Sequence, residues 1–165
     1  MPSKLDYATE KFTAGYNCAQ SVLFAFSDEL GLDKNLALKL ATGLGAGMAR
    51  NQEVCCAVTG GILALGARYG RGEGAPRAAT DVTYAKTREL FTRFQALHGT
   101  CLCRELLPGC DLNTPLGQQK FKEQNLLETV CKQCVRDVVR IIEEIASPAS
   151  PTSPTATSCP CVPGS

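Results

Sequence analysis

Ten cysteines among 165 residues force a choice on any fold this chain adopts. Either disulfides staple a small domain that has too little core, or an ordinary core holds free thiols that bind a metal or move electrons. A chain of this length can bury a single-domain core, and 44% of its residues are hydrophobic, so staples are not required. The amino terminus, MPSKLDYATEKF, is polar and charged where an export signal has a basic start followed by an apolar run. This predicts a cytoplasmic chain with reduced thiols and moves metal binding or redox work ahead of a disulfide framework. Export without a recognisable signal, or a hyperthermophilic source, would reopen the disulfide reading.

The formal net charge is +1 with acidic and basic residues interspersed, which leaves no electrostatic footprint for a nucleic acid or an anionic membrane as partner. The longest apolar stretch, Val54 to Ala67, is shorter than the ~18 to 20 residues that span a bilayer. It reads as a buried core helix.

Periodicity predicts an all-α fold. Leu5, Ala8, Phe12, Tyr16, Ala19, Val22, Leu23, Phe26 and Leu30 recur at three- and four-residue intervals, the stripe of a buried helix, interrupted or kinked near Gly15. Gly31 ends it, and Asp33 caps a shorter helix to about Thr42. Gly43, Gly45 and Gly47 in GLGAGM mark a turn open to close backbone approach. The central helix follows from about Val54 to Tyr69, with Ala57, Gly60, Gly61, Ala64 and Gly66 offering small surfaces to a neighbour inside the monomer or across a homodimer. Asp81 or Thr80 caps a helix over about 82–97, closed by His98-Gly99. A short turn covers Cys103 to Leu107, Pro115 suits a first helical position, and a last helix runs from about Asn125 to Ala146. No strand pattern is present. The expectation is an irregular bundle of five to six helices over residues 1–146, followed by a disordered Pro/Ser/Thr-rich tail, 147–165, that carries Cys159-Pro-Cys161.

Cys55 and Cys56 stand at the start of the central helix, where free N–H groups and the helix dipole stabilise a thiolate. Against this, cysteine is also a small buried hydrophobe, and glycines pack helices. Cys131 and Cys134 are three apart on the last helix, hence nearly on one face. Cys101 and Cys103 can converge beside a helix start; Cys18 lies next to the buried stripe of the first helix; Cys110 falls in a loop. Zinc-ribbon and ferredoxin spacings are absent, so any metal centre is assembled from distant helices. A cysteine–histidine dyad requires His98 to meet a cysteine in space, and its position before Gly99 predicts a cap instead. GLGAGM follows no buried strand and precedes no Gly-Lys-Ser/Thr, so it is neither a dinucleotide fingerprint nor a P-loop.

Taken in order, GYNCAQSVL around Cys18, GLGAGMARNQEVCCAVTGGILALGARYG around Cys55, CRELL at Cys103 and CKQCVRDVVRIIEEI at Cys131 make the chain resemble the C_GCAxxG_C_C family of redox-active proteins over about residues 5–146. The resemblance implies Cys18, Cys55, Cys103 and Cys131 as the family's four cysteines, with Ala57 and Gly60 completing the short motif and Cys56 standing where members carry glycine. Cys101, Cys110, Cys134, Cys159 and Cys161 fall outside that set, with Cys101 and Cys134 as secondary candidates. The chain is also similar to part of the split-Soret cytochromes c, whose resembling portion carries a non-haem iron or iron–sulfur site; no CxxCH haem attachment is present.

Three functions stay open. Cys18, Cys55, Cys103 and Cys131 can hold an iron–sulfur cluster for electron transfer, with Gly43, Gly45, Gly47 and Gly60 allowing close backbone approach. Cys55 or Cys56 can act as the attacking thiol of a cofactor-free thiol–disulfide protein. The many soft sulfurs can instead bind copper or zinc. Each redox reading requires a redox partner protein, and none names an enzymatic substrate.

Overall fold

The computed structural model describes residues 1–147, and the expected tail with Cys159 and Cys161 lies outside them. The described residues form helices α1 (Lys4–Thr13), α2 (Cys18–Leu30), α3 (Lys34–Ala41), α4 (Cys56–Tyr69), α5 (Ala78–His98), α6 (Cys103–Leu106), α7 (Pro115–Glu123) and α8 (Lys132–Ala146). The all-α expectation holds with more helices than five or six. The stretch from Leu5 to Leu30 divides at Gly15, whose φ of 94° no helix accommodates, and α7 stands apart from α8. The last helix therefore begins later than Asn125, which has a φ of 52°. A π-helical turn, Leu127–Cys131, leads into α8. Helix α5 starts at Ala78, ahead of the expected cap, and Asp81 sits in its first turn, where a carboxylate faces the positive end of the dipole.

Local chemistry fixes most ends. Ser3 and Asp6 form a capping box on α1, and Asn17 and Gln20 form another on α2, each satisfying two N–H groups left free at a helix start. Gly31 (φ 62°) closes α2 and Gly99 (φ 79°) closes α5, both in the left-handed region that glycine enters without penalty. Thr114 caps α7, with Pro115 at its first position as expected.

Helices α2, α4 and α8 make the centre of the bundle. Val135, Val138, Val139, Ile141, Ile142 and Ile145 of α8 are buried, along with Val22, Leu23 and Phe26 of α2 and Val58 and Leu65 of α4. Helix α5 adds Leu90 and Phe94 from the outside. The α2–α4 crossing is set by Gly60: a Cβ there would lie 2.7 Å from both Cα and O of Ala19, well inside carbon–carbon contact distance. Ala19 directly follows Cys18, so this crossing also brings the first residues of α2 and α4, Cys18 and Cys56, together. No described helix is long and apolar enough to cross a membrane.

Candidate functional site

Three devices position the sulfurs. The first is the capping pair of α2, which does more than close the helix. Asn17 Nδ2 donates to the Thr42 carbonyl at 3.0 Å, and Gln20 Nε2 donates to the Leu38 carbonyl at 3.0 Å, tying the end of α3 and the following turn to the start of α2 beside Cys18. The second is a short antiparallel pairing of residues 52–55 with 101–104. Cys55 N donates to Cys101 O at 2.8 Å and Cys103 N to Glu53 O at 2.7 Å, around the Val54–Leu102 bridge. Val54, expected at the head of the central helix, is spent in this bridge, so α4 starts at Cys56 with Cys55 as its N-cap.

The third device is the glycine turn. Ala46, Gly47, Met48, Ala49 and Arg50 all have φ between 52° and 69°, and Gln52 has a φ of 54°. The turn's own hydrogen bonds begin with Ala49 N and Arg50 N donating to Gly45 O, so the N–H groups ahead of them form a small nest of donors left for an outside acceptor. Here the Ala46 and Gly47 backbone groups hydrogen-bond the Cys56 sulfur. Only glycine fits at position 47, where a Cβ would lie 2.7 Å from Glu53 N and 2.9 Å from Cys103 Cβ. Gln52 is buried and locks the far side: its Nε2 donates to Cys110 O at 2.9 Å, and its Oε1 accepts from Leu112 N at 2.9 Å.

Cys18, Cys55, Cys56, Cys103, Cys131 and Cys134 all line one cavity of about 380 Å³, together with Phe12, Tyr16, Leu106, Phe121 and Val130. Arg50 and Lys122 are the cationic side chains on its wall. All eight cysteines of the described residues are free thiols. Within the cluster the thiols are not equivalent. Hydrogen bonds from the Cys18 and Cys55 thiols, against the penalty of burial and with help from the Ala46 and Gly47 backbone, hold Cys56 well below the usual thiol range. Cys18 is held well above that range by its hydrogen bonds to Cys131 and Cys56, and Cys55 by its hydrogen bonds to Cys134 and Cys56. Cys103 is pushed up to about 12, mainly by burial. A charge on Cys56 would thus be met by thiol and backbone donors, which is how a charged sulfur is tolerated away from water.

The sequence-predicted residues separate into three groups. Cys18, Cys55, Cys56, Cys103 and Cys131 meet, and Cys134 joins them. Cys101 does not line the cavity; its sulfur lies 3.7 Å from the Phe91 carbonyl. Cys110 packs beneath the cluster with Leu107 and Leu112. Of the glycines, Gly45 packs on Asn17, Gly47 on Cys103 and Gly60 on Ala19, whereas Gly43 has open space around it and admits no close neighbour. His98 ends α5 as expected but also meets a cysteine. Its Nδ1 lies 4.0 Å from Cys134 Sγ and its Nε2 lies 3.1 Å from Asp137 Oδ2. No local pattern in the sequence signals that contact, or the part played by Gln52.

Six soft sulfurs on one cavity match the ligand chemistry of an iron–sulfur cluster, which four thiolates can hold. Among the described residues no group of three or more His, Cys, Asp or Glu is arranged to hold a metal ion as the side chains stand, which bears equally on a cluster and on a single copper or zinc ion.

Among known families, the model described as "Putative redox-active protein (C_GCAxxG_C_C)" matches residues 16–145. No curated protein and no solved structure matches the chain. In the family pattern the cysteine directly precedes the alanine, so GCAxxG falls on Cys55, Cys56, Ala57, Val58, Thr59 and Gly60. Cys56 is therefore the pattern cysteine and Cys55 stands in the glycine's place, one residue off the register read from sequence. The geometry agrees with that register, since Cys56 is the sulfur contacted by the nest and Gly60 the contact with the helix of Cys18. With four-fifths of its length matched and each part of the motif given a structural role, the chain belongs to the C_GCAxxG_C_C family of redox-active proteins.

Proposed function

We propose that the protein exchanges electrons through a thiol–disulfide couple centred on Cys56, with Cys18 as its resolving partner. The observation that carries this reading is the placement of Cys56 at the first residue of α4 on one cavity wall with Cys18, where neighbouring thiols and backbone hold it well below the usual thiol range. Thiolate character is what makes a cysteine nucleophilic. In the oxidative direction the Cys56 thiolate attacks one sulfur of a partner's disulfide and releases the other as a thiolate. Cys18 then attacks Cys56 Sγ, closing a Cys18–Cys56 disulfide and releasing the second partner thiol, with the Cys18 proton leaving on the released sulfurs. Cys55 also touches Cys56, but a bridge between adjacent residues strains the intervening peptide.

An iron–sulfur centre in electron transfer is the second reading, favoured by the placement of all four pattern cysteines, Cys18, Cys56, Cys103 and Cys131, on one cavity. Such a cluster supplies one-electron transfer when bound. The protein's part would be the N–H groups of the nest, which lower the charge density on sulfur, and the apolar wall, which limits water.

Purification without oxygen, followed by iron and sulfide analysis and by mass spectrometry of alkylated protein after treatment with oxidised glutathione, separates the two. Iron-free protein that forms a reversible Cys18–Cys56 bridge supports the thiol couple. Stoichiometric iron and sulfide with visible absorbance support the cluster and overturn the couple. Iron-free protein with no bridge at Cys56 overturns the couple as well.

A further inference from the structure

The pattern cysteines leave two sulfurs of the cavity without an assignment. Cys55 occupies the place of the family's glycine, and Cys134 lies one helical turn beyond Cys131. Although 79 positions separate them (134 − 55), both are buried and both line the same cavity, where the Cys134 thiol is a neighbour of Cys55. Beside Cys134 stands the protein's single histidine. His98 stacks on Phe94 at 4.3 Å between centroids, and its Nε2 faces Asp137 Oδ2 at 3.1 Å. The carboxylate is held in turn by Gln133 Nε2 at 2.9 Å and by Arg140 at 3.6 Å. A carboxylate accepts only, so Nε2 carries a proton, and in the neutral ring the acceptor is Nδ1, 4.0 Å from Cys134 Sγ.

We infer that Cys55 and Cys134 form a second reversible dithiol–disulfide pair, adjacent to the pattern cysteines and seated against His98. Cys134 attacks a sulfur of an incoming low-molecular-weight disulfide as its proton passes toward His98 Nδ1, and one thiolate leaves. Cys55 then attacks Cys134 Sγ and the second thiolate leaves. Two protein thiols are oxidised to one disulfide, the incoming disulfide is reduced to two thiols, and the two protons go with them. This second pair needs the shared cavity but not the chemistry assigned to Cys56, so it stands beside either reading of the main centre.

The test uses the full chain, reduced, then equilibrated with oxidised glutathione without oxygen, alkylated and digested. Trypsin cuts after Lys132, so Cys131 and Cys134 fall in different peptides. Cys56→Ser should retain a bridge between the peptide holding Cys55 and the peptide holding Cys134, while Cys134→Ser should lose that bridge and keep Cys18–Cys56. In the unsubstituted protein, fragment ions between Cys55 and Cys56 report the same linkage if either variant folds poorly. Glutathione stalled on Cys134 or Cys55 without a bridge, or unmodified thiols at both positions, overturns the inference. Absence of Cys18–Cys56 with Cys55–Cys134 present overturns the couple proposed for Cys56 and leaves the second pair standing.

Discussion

Gly60→Ala is the most direct probe of how the fold assembles the thiol centre. The added methyl would lie 2.7 Å from Cα and O of Ala19 and 3.1 Å from its carbonyl carbon, where ordinary contact is about 3.5–4.0 Å. All three atoms are backbone, so no side-chain rotation relieves the overlap and the two helices must separate by roughly 1 Å to restore contact distance. Overpacking of this kind costs about 1–3 kcal/mol, against which alanine regains about 1 kcal/mol of helix propensity. The net loss is about 0–2 kcal/mol, or a fall of up to about 8 °C in Tm at ~2–4 °C per kcal/mol. The local effect should exceed the global one. Cys18 is the residue before Ala19, and Cys56 lies one turn before Gly60, so separating the helices at this crossing pulls both ends of the Cys18–Cys56 contact apart. The Cys18–Cys56 bridge in oxidised glutathione should form at least tenfold more slowly, read by timed alkylation beside a thermal melt. A variant as stable as the wild type that closes the bridge at the wild-type rate refutes the role given to this crossing.

Cys56 should be the fastest thiol toward a small alkylating agent at neutral pH, because it is held well below the usual thiol range; Cys56→Ser should remove that phase, and its survival would reassign the nucleophile. Cys103, pushed up to about 12, remains protonated in the native state while the unfolded chain ionises near the ordinary thiol value of 9.0. Its stabilising contribution is therefore complete below pH 9.0 and is lost as pH rises toward about 12. Urea midpoints should fall across that window and fall less in Cys103→Ser; a flat profile would contradict the burial assigned to this thiol. Gln52→Leu leaves Cys110 O and Leu112 N without their buried partner, and at about 1–3 kcal/mol for each orphaned group should destabilise the chain by at least about 2 kcal/mol in a denaturant titration.

Helical periodicity was legible because burial writes it directly into the spacing of Val, Leu, Ile and Phe along α2 and α8. The capping signals at Gly31, Asp33, Gly99 and Pro115 were legible for the same local reason. What sequence spacing could not carry was the pairing of 52–55 with 101–104, which depends on a contact between distant segments and converts Val54 from a helical residue to a bridge partner. The start of the last helix was placed near Asn125, and the π turn over Leu127–Cys131 that delays α8 to Lys132 was hidden because it does not interrupt the apolar stripe. At the site, the meeting of Cys18, Cys103 and Cys131 with the adjacent pair was anticipated through the resemblance. The spacing of Cys131 and Cys134 suggested a shared partner, yet the structure gives each its own: Cys131 meets Cys18 and Cys134 meets Cys55. His98 was assigned to a cap on local grounds, and its second contact needs α8 to lie alongside α5.

The left-handed turn is the costliest feature of the backbone, and its cost bears on what the site does. Ala46, Met48, Ala49, Arg50 and Gln52 hold conformations that burden non-glycine residues by about 1–3 kcal/mol each. Such a run persists only when its surroundings over-determine it, and they do. Asn17 Nδ2 holds Thr42 at its entrance, Asn113 Nδ2 donates to Arg50 O at 2.8 Å, and Gln52 pins its exit to Cys110 and Leu112. What this turn brings to the site is the backbone of Ala46 and Gly47, which hydrogen-bonds the sulfur of Cys56. Replacing Cys56 by alanine removes the charge those groups stabilise while leaving the strained backbone in place, so protection of the Ala46 and Gly47 amides from hydrogen exchange should drop in that variant. Unchanged protection would mean that the turn is shaped by packing against Cys103 alone.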